Sequence, residues 1–180
     1  MEINTKADRL IEFYLNNPEV FERRVNKLKR YSCYILVAAC SILIFFPDII
    51  PLGAWLVRTA AIAGLIYFGF EIYLGGIEIY NKISNGMITK LLIKKFDMSE
   101  CNESKLVEAF NNKNFDALND APGADDQPIQ LYVEEDKTGK ELYCVMMKYY
   151  SSSDFRSATD IIVLSGSDYD KWIGVFKSMK

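Results

Sequence analysis

The 180-residue chain contains no histidine. That removes Ser-His and Cys-His nucleophiles, histidine metal sites and histidine-dependent ribonuclease chemistry. Its cysteines, Cys33, Cys40, Cys101 and Cys144, form no C-x-x-C pair. A zinc site would have to come from carboxylates alone, and no metal or cofactor is expected. There is no Walker A sequence, no G-x-G-x-x-G, no internal repeat and no low-complexity tract. No general base stands beside an obvious nucleophile, so catalysis is not expected. The first apolar run begins only after about thirty charged and aromatic residues, so no secretory signal is expected and the cysteines read as reduced thiols.

What the chain does have is two long apolar runs. Ser32–Phe46 carries no charge, and Ala54–Phe70 carries only Arg58. With their apolar flanks each approaches the ~20 residues that a helix needs to cross a bilayer. Pro47, Pro51 and Gly53 punctuate the segment between them. The expected fold is a membrane α-helical hairpin of two transmembrane helices, followed by a small cytosolic α+β domain with a short antiparallel sheet. The expected division is a cytosolic amphipathic and basic segment over 1–30, the hairpin over 31–81 and the domain over 82–180. Arg23, Arg24, Lys27, Lys29 and Arg30 precede the first span, and Lys82, Lys90, Lys94 and Lys95 follow the second. The turn between the spans carries only Asp48, so the positive-inside rule places both termini in the cytoplasm.

Local signals fill in the elements. A short amphipathic helix carries Leu10, Ile11, Phe13 and Tyr14, and either lies on the membrane surface or packs on the domain. Asn17-Pro18 restarts the chain as one long helix reaching Pro47. The second span is expected to continue towards Asn81. Ile83–Phe96 has helical spacing at Met87, Ile88, Leu91, Leu92 and Phe96, and Ser99 is expected to cap another helix ending near Lys113. Ile129–Glu134 and Leu142–Tyr150 alternate as a β-hairpin around Asp136–Lys140. Ile161–Leu164 reads as a buried strand, and Ser167 or Asp168 caps a last helix. The predicted order in the tail is α-α-β-β-β-α.

Candidate sites come with two readings each. Glu71 and Glu78 share a helical face with Gly64 and Gly75, and Ala60 forms a small-xxx-small pair with Gly64. They line either the lumen and helix contacts of an oligomeric pore, or headgroups and ordinary packing. Arg58 either anchors the helix, by reaching the outer headgroups or pairing with Asp48, or serves a pore or voltage-related role, and Cys33 and Cys40 read as small packing residues. In the tail, Lys148, Tyr149, Ser152 and Arg156 combine cations, hydroxyls and an aromatic. Ser165, Gly166 and Ser167 precede a helix start, where free N–H groups attract anions. Together they hold a nucleotide phosphate and stack a base, or they are a serine-rich loop and an ordinary cap.

The two apolar runs and the α+β tail with its Ser, Arg and Lys loops give an architecture that resembles small prokaryotic antiphage membrane effectors, nearest the two-helix transmembrane effector of type III CRISPR systems. The resemblance implies a tail that binds cyclic tetra-adenylate or another cyclic oligoadenylate, a homo-oligomer, and a membrane part that opens or disturbs a bacterial inner membrane. It implies a lipid bilayer and a cyclic oligonucleotide as partners, and no duplex nucleic acid. Antiphage effectors with a β-barrel sensor need more strand than the expected tail supplies. The membrane accessory of RNA-targeting CRISPR systems is associated with a motif containing histidine, which this chain lacks. A different class of function is a membrane-anchored scaffold whose tail docks a protein partner without channel activity.

Overall fold

The computed structural model describes residues 8–74, 77–151 and 154–179. The chain forms two compact units. One is Arg23–Glu78, and the other joins Met1–Glu22 to Ile79–Lys180. The N-terminal segment therefore belongs with the C-terminal domain.

In the first unit, Asn26 starts a helix by accepting the Lys29 N–H on its side-chain oxygen at 2.9 Å. Before it, Phe21–Val25 is a strand (β1), so no continuous helix runs from Pro18. A helix Asp8–Asn16 (α1) ends at Asn17, whose carbonyl accepts from Val20 and Phe21 in a turn. The first apolar helix is Lys27–Phe45 (α2). It stops at Pro47, which has no N–H to offer and opens a single 3-10 turn through Ile49. The second apolar helix is Ala54–Leu74 (α3). It does not reach Asn81, because Ile77–Asn81 is a strand (β2).

The facing surfaces of the hairpin use small residues. Cys33, Val57 and Ala61 are buried, and a Cβ placed on Gly64 would lie 2.8 Å from the Cys40 sulfur. Arg58 donates from Nε to the Ile44 carbonyl at 3.3 Å, one helix to the other. The two helices are long and apolar enough to cross a membrane, and only 6% and 11% of their apolar windows are buried. Core helices of a globular protein would show the reverse.

The second unit is an α+β layer around a curled antiparallel sheet. Its strands after β2 are Gly86–Lys95 (β3), Ile129–Asp136 (β4), Glu141–Ser151 (β5), Asp154–Ser157 (β6) and Ile162–Ser165 (β7). The order is β1-β2-β3-β4-β5-β6, with β7 also on β5. Three helices, Glu103–Asn111 (α4), Phe115–Asp120 (α5) and Ser167–Ser178 (α6), complete it. The expected helix over Ile83–Phe96 is thus a strand. β3 pairs with β4 in a register that slips between Lys90 and Leu92, and this bulge breaks the alternation that marks a strand. Asn102, not Ser99, caps α4; the Ser99 N–H and hydroxyl donate to the Asp97 carboxylate instead. Strands β4, β5 and β7 and helix α6 fall where the sequence places them, while α5 and β6 are additional.

Alternation along β5 divides the core. Leu142, Cys144 and Met146 join Phe110, Phe115, Trp172 and Phe176 under the helices. Tyr143, Val145 and Met147 meet Leu10, Tyr14 and Phe21 on the opposite face. Tyr14 clinches that docking by donating its hydroxyl to Glu134 at 2.8 Å. Of the two placements open to the N-terminal helix, the structure has it packed on the domain.

A buried carboxylate ties two turns together. Asp136 accepts the N–H groups of Thr138 and Gly139 at 3.0 and 2.9 Å, and the Ser84 hydroxyl at 2.5 Å. A Cβ on Gly86 would lie 1.9 Å from the same carboxylate. The close approach of backbone to Asp136 is what requires glycine there.

Candidate ligand cleft

The residues predicted to hold an anion do not converge. Lys148 and Arg156 are cross-strand partners on β5 and β6. Ser165 pairs with Glu141, seven residues away along β5. At ~3.3 Å per residue that is roughly 23 Å. Lys148 already holds Glu103 at 2.7 Å, and this contact raises its pKa. Tyr149, one residue on, points to the opposite face of the sheet, where it stacks on Phe155 with ring centroids 4.1 Å apart. Gly166, at φ +57°, is the N-cap of α6 and supplies no side-chain cap, correcting the expectation of Ser167 or Asp168. Asp168 and Asp170 occupy the first turn of α6 and meet its positive end, which leaves little attraction for an anion between Ser165 and Ser167. Ser152 and Gly75 lie outside the described residues.

In the hairpin unit, the Lys29 ammonium lies 2.7 Å from Glu71, and Asn26 donates to Glu78 at 2.9 Å. Both carboxylates therefore have partners within their own hairpin. Gly64 faces Cys40 of the same chain, and Ala60 is exposed. Two of the lysines read as a basic flank serve the fold instead. Lys82 donates to the Pro18 carbonyl, and Lys94 is buried and donates to the Asn119 carbonyl at 2.8 Å. Burial lowers the Lys94 pKa.

A cleft of about 350 Å³ opens on the sheet face that carries Tyr149. It is lined by Ile93 and Lys95 of β3, Gln130 and Tyr132 of β4, Tyr149 of β5, and the loop Asp126-Gln127-Pro128. A second hollow, with Gly123, Ala124 and Asp125, shares Ile93 and Lys95. Strand alternation puts these side chains together: Gln130 and Tyr132 sit on the β4 face away from the helices, as Tyr149 does on β5.

The polar groups of the cleft are ordered. Tyr132 donates its hydroxyl to Gln130 Oε1 at 3.0 Å, and Gln130 donates from Nε2 to the Gln127 carbonyl at 3.1 Å. Gln127 in turn accepts the Met98 N–H on Oε1 at 3.1 Å. Among the side chains lining the cleft, the Gln127 amide nitrogen and the Lys95 ammonium can donate and the Tyr132 oxygen can accept. Burial, with a smaller contribution from Tyr149, pushes the Tyr132 phenol up to about 12, so it remains protonated at neutral pH. A planar heterocycle fits tyrosine walls and amide edges, and one anionic group fits Lys95. Asp125 and Asp126 on the rim oppose a larger negative charge.

Among the described residues, Tyr149 is the one predicted ligand residue that lines this cleft. The others that form it were hidden by the reading of β3 as a helix and by long-range pairing. All four cysteines are free thiols, and burial pushes the Cys144 and Cys101 pKa values up.

No family model, no curated protein and no solved structure matches the chain.

Proposed function

We propose that the chain is a bacterial inner-membrane effector. Its hairpin spans the bilayer, and the cleft in its α+β unit binds a nucleotide second messenger. The observation that carries this reading is the ordered, tyrosine-walled cleft in a unit joined directly to two exposed apolar helices. The joins are short. β1 ends at Val25 and α2 begins at Lys27, while α3 ends at Leu74 and β2 begins at Ile77. A ligand that favours one arrangement of the sheet can bias the spans through these joins, by no more than its difference in affinity between the two states.

Cyclic oligoadenylates are the first ligands to test, with the resemblance to type III CRISPR membrane effectors as support; the cleft would take one adenine and one phosphate of the ring, with the remaining phosphates outside it and away from Asp125 and Asp126. The seven-stranded sheet has more strand than the sequence suggested, which lends some support to antiphage effectors with a β-barrel sensor as relatives. The test uses the full chain, because an isolated 84–180 fragment would lack α1, β1 and β2 and expose Tyr143 and Val145. Calorimetry against cyclic di-, tri-, tetra- and hexa-adenylate should show one binder. Lys95→Ala should weaken it by about 1.5–3 kcal/mol, the scale of one charge-assisted hydrogen bond, and Arg156→Ala should not. Dye release from vesicles on adding that ligand completes the effector reading. If no cyclic nucleotide binds the folded chain, the sensor proposal fails.

One observation favours a second reading, a membrane-anchored scaffold without channel activity. Glu71 and Glu78 each meet a partner of the same hairpin, Lys29 and Asn26, without a second copy of the chain. Binding without dye release would select it.

A further inference from the structure

The basic residues before the first span do not behave alike. Lys29 turns towards α3 and holds Glu71 at 2.7 Å. Lys27 and Arg30 are exposed and form no ion pair among the described residues. At 100° per residue, Lys27, Arg30, Tyr31 and Tyr34 fall within an arc of about 100° on α2. Cys33 and Cys40, which face α3, lie about 60–80° beyond the edge of that arc and about 120° from its centre.

Together with Val25 these four residues line a groove of about 330 Å³. Its apolar parts are uncovered: Val25, Tyr31 and Tyr34 are 43%, 65% and 47% exposed. On the same side of α2 beyond Tyr34 come Ile35, Ile42 and Phe45, also exposed. The order along the helix is therefore cations, then tyrosines, then bare aliphatic surface. A phospholipid has the same order of phosphate, glycerol ester and acyl chain. Tyrosine suits the middle level because its ring is apolar and its hydroxyl is wet.

We propose that this groove is a binding site for an anionic phospholipid. The phosphate sits between Lys27 and Arg30, the ester region lies against Tyr31 and Tyr34, and an acyl chain runs along Ile35. A soluble phosphate ester offers the same headgroup chemistry but leaves the aliphatic surface bare, and for that reason the lipid is the occupant. The inference rests on the membrane reading above and adds a headgroup preference to it.

The test is native mass spectrometry of the full chain released from vesicles of phosphatidylcholine and phosphatidylglycerol. Phosphatidylglycerol should be retained in preference. A Lys27→Gln/Arg30→Gln double variant should reduce that preference up to about thirtyfold, given the usual effect of two cations near an anionic surface. The charge-conserving Lys27→Arg/Arg30→Lys pair should keep it, as should Lys105→Gln on α4. A second arm adds soluble glycerol phosphate, which should not displace the lipid. Displacement at equal concentration, or equal retention of both lipids by the parent chain, overturns the inference while leaving the membrane reading intact. A chain that does not enter vesicles at all overturns both.

Discussion

The hairpin unit and the α+β unit handle their polar groups in opposite ways. In the hairpin they gather at the ends. Asn26 with Glu78 and Lys29 with Glu71 close one end, and Arg58 meets the Ile44 carbonyl towards the other. Between them the surface is apolar and open, with Ile35 at 70% and Ile66 at 52% exposure. In the α+β unit the polar groups lie inside. Asp136 and Glu135 are fully buried, and Gln130 and Lys94 nearly so, each with hydrogen-bond partners. One unit relies on its surroundings to cover apolar surface, while the other covers its own and builds a polar framework within it. This is the contrast expected if the first unit is solvated by lipid and the second by water.

The largest effect should come from that internal framework. In Gly86→Val a Cβ would stand 1.9 Å from Asp136, whose carboxylate is pinned by two backbone N–H groups and cannot swing aside. Overpacking and lost hydrogen bonds should together cost about 3 kcal/mol or more. The two tryptophans make the comparison measurable, because Trp55 lies in the hairpin and Trp172 in α6. Denaturant unfolding in mild detergent, followed separately in Trp55→Phe and Trp172→Phe backgrounds, should show the Trp172 transition shifted and the Trp55 signal unmoved. A common shift would mean that the two units unfold as one.

A smaller effect is expected where the hairpin helices touch. Gly64→Leu should separate α2 from α3 at Cys40 and cost about 2 kcal/mol, because a large side chain blocks close backbone approach. Gly64→Cys gives a sharper readout. Its Cβ would lie 2.8 Å from the Cys40 sulfur, within disulfide reach. Mild oxidation should therefore yield an internally bridged monomer on a non-reducing gel. A bridged dimer would instead place Gly64 between copies, as the pore reading requires.

The two units were also unequally legible. Ser32–Phe46 admits few meanings, because an uncharged apolar run of that length has only buried or membrane solutions. The β4–β5 hairpin was equally plain, since alternation on both sides of Asp136–Lys140 leaves the register little freedom. β3 imitates a helix for a local reason: the bulge between Lys90 and Leu92 moves its apolar residues onto helical spacing. β1 was hidden because Phe21–Val25 is only five residues long and runs almost directly into α2. With β3 taken as a helix, Lys95 looked like a membrane flank rather than the cation of a cleft. Gln127, Gln130 and Tyr132 converge on it through pairing of β3 with β4 across a loop and two helices, a relation no local pattern carries.

The smallest effect tests whether the α+β unit tolerates its buried charge. Glu134 is pushed above the usual carboxylate range, mainly by burial, while the Tyr14 hydroxyl and Lys90 pull it back. A raised folded-state pKa means that the fold prefers the protonated acid. The favourable contribution is complete below the ordinary glutamate pKa and is lost as pH rises through the folded value. Glu134→Gln fixes the neutral state and keeps an oxygen to accept from Tyr14. The variant should therefore match the parent near pH 4 and become more stable relative to it as pH rises to 7, by on the order of 1 kcal/mol or less, since the bond from Tyr14 to a neutral acceptor is the weaker one. Trp172-reported unfolding midpoints across that pH range provide the measurement. A variant less stable than the parent at pH 7 would show that the Tyr14 bond to the ionised carboxylate outweighs its burial, and the α+β unit would then hold α1 by charge rather than in spite of it.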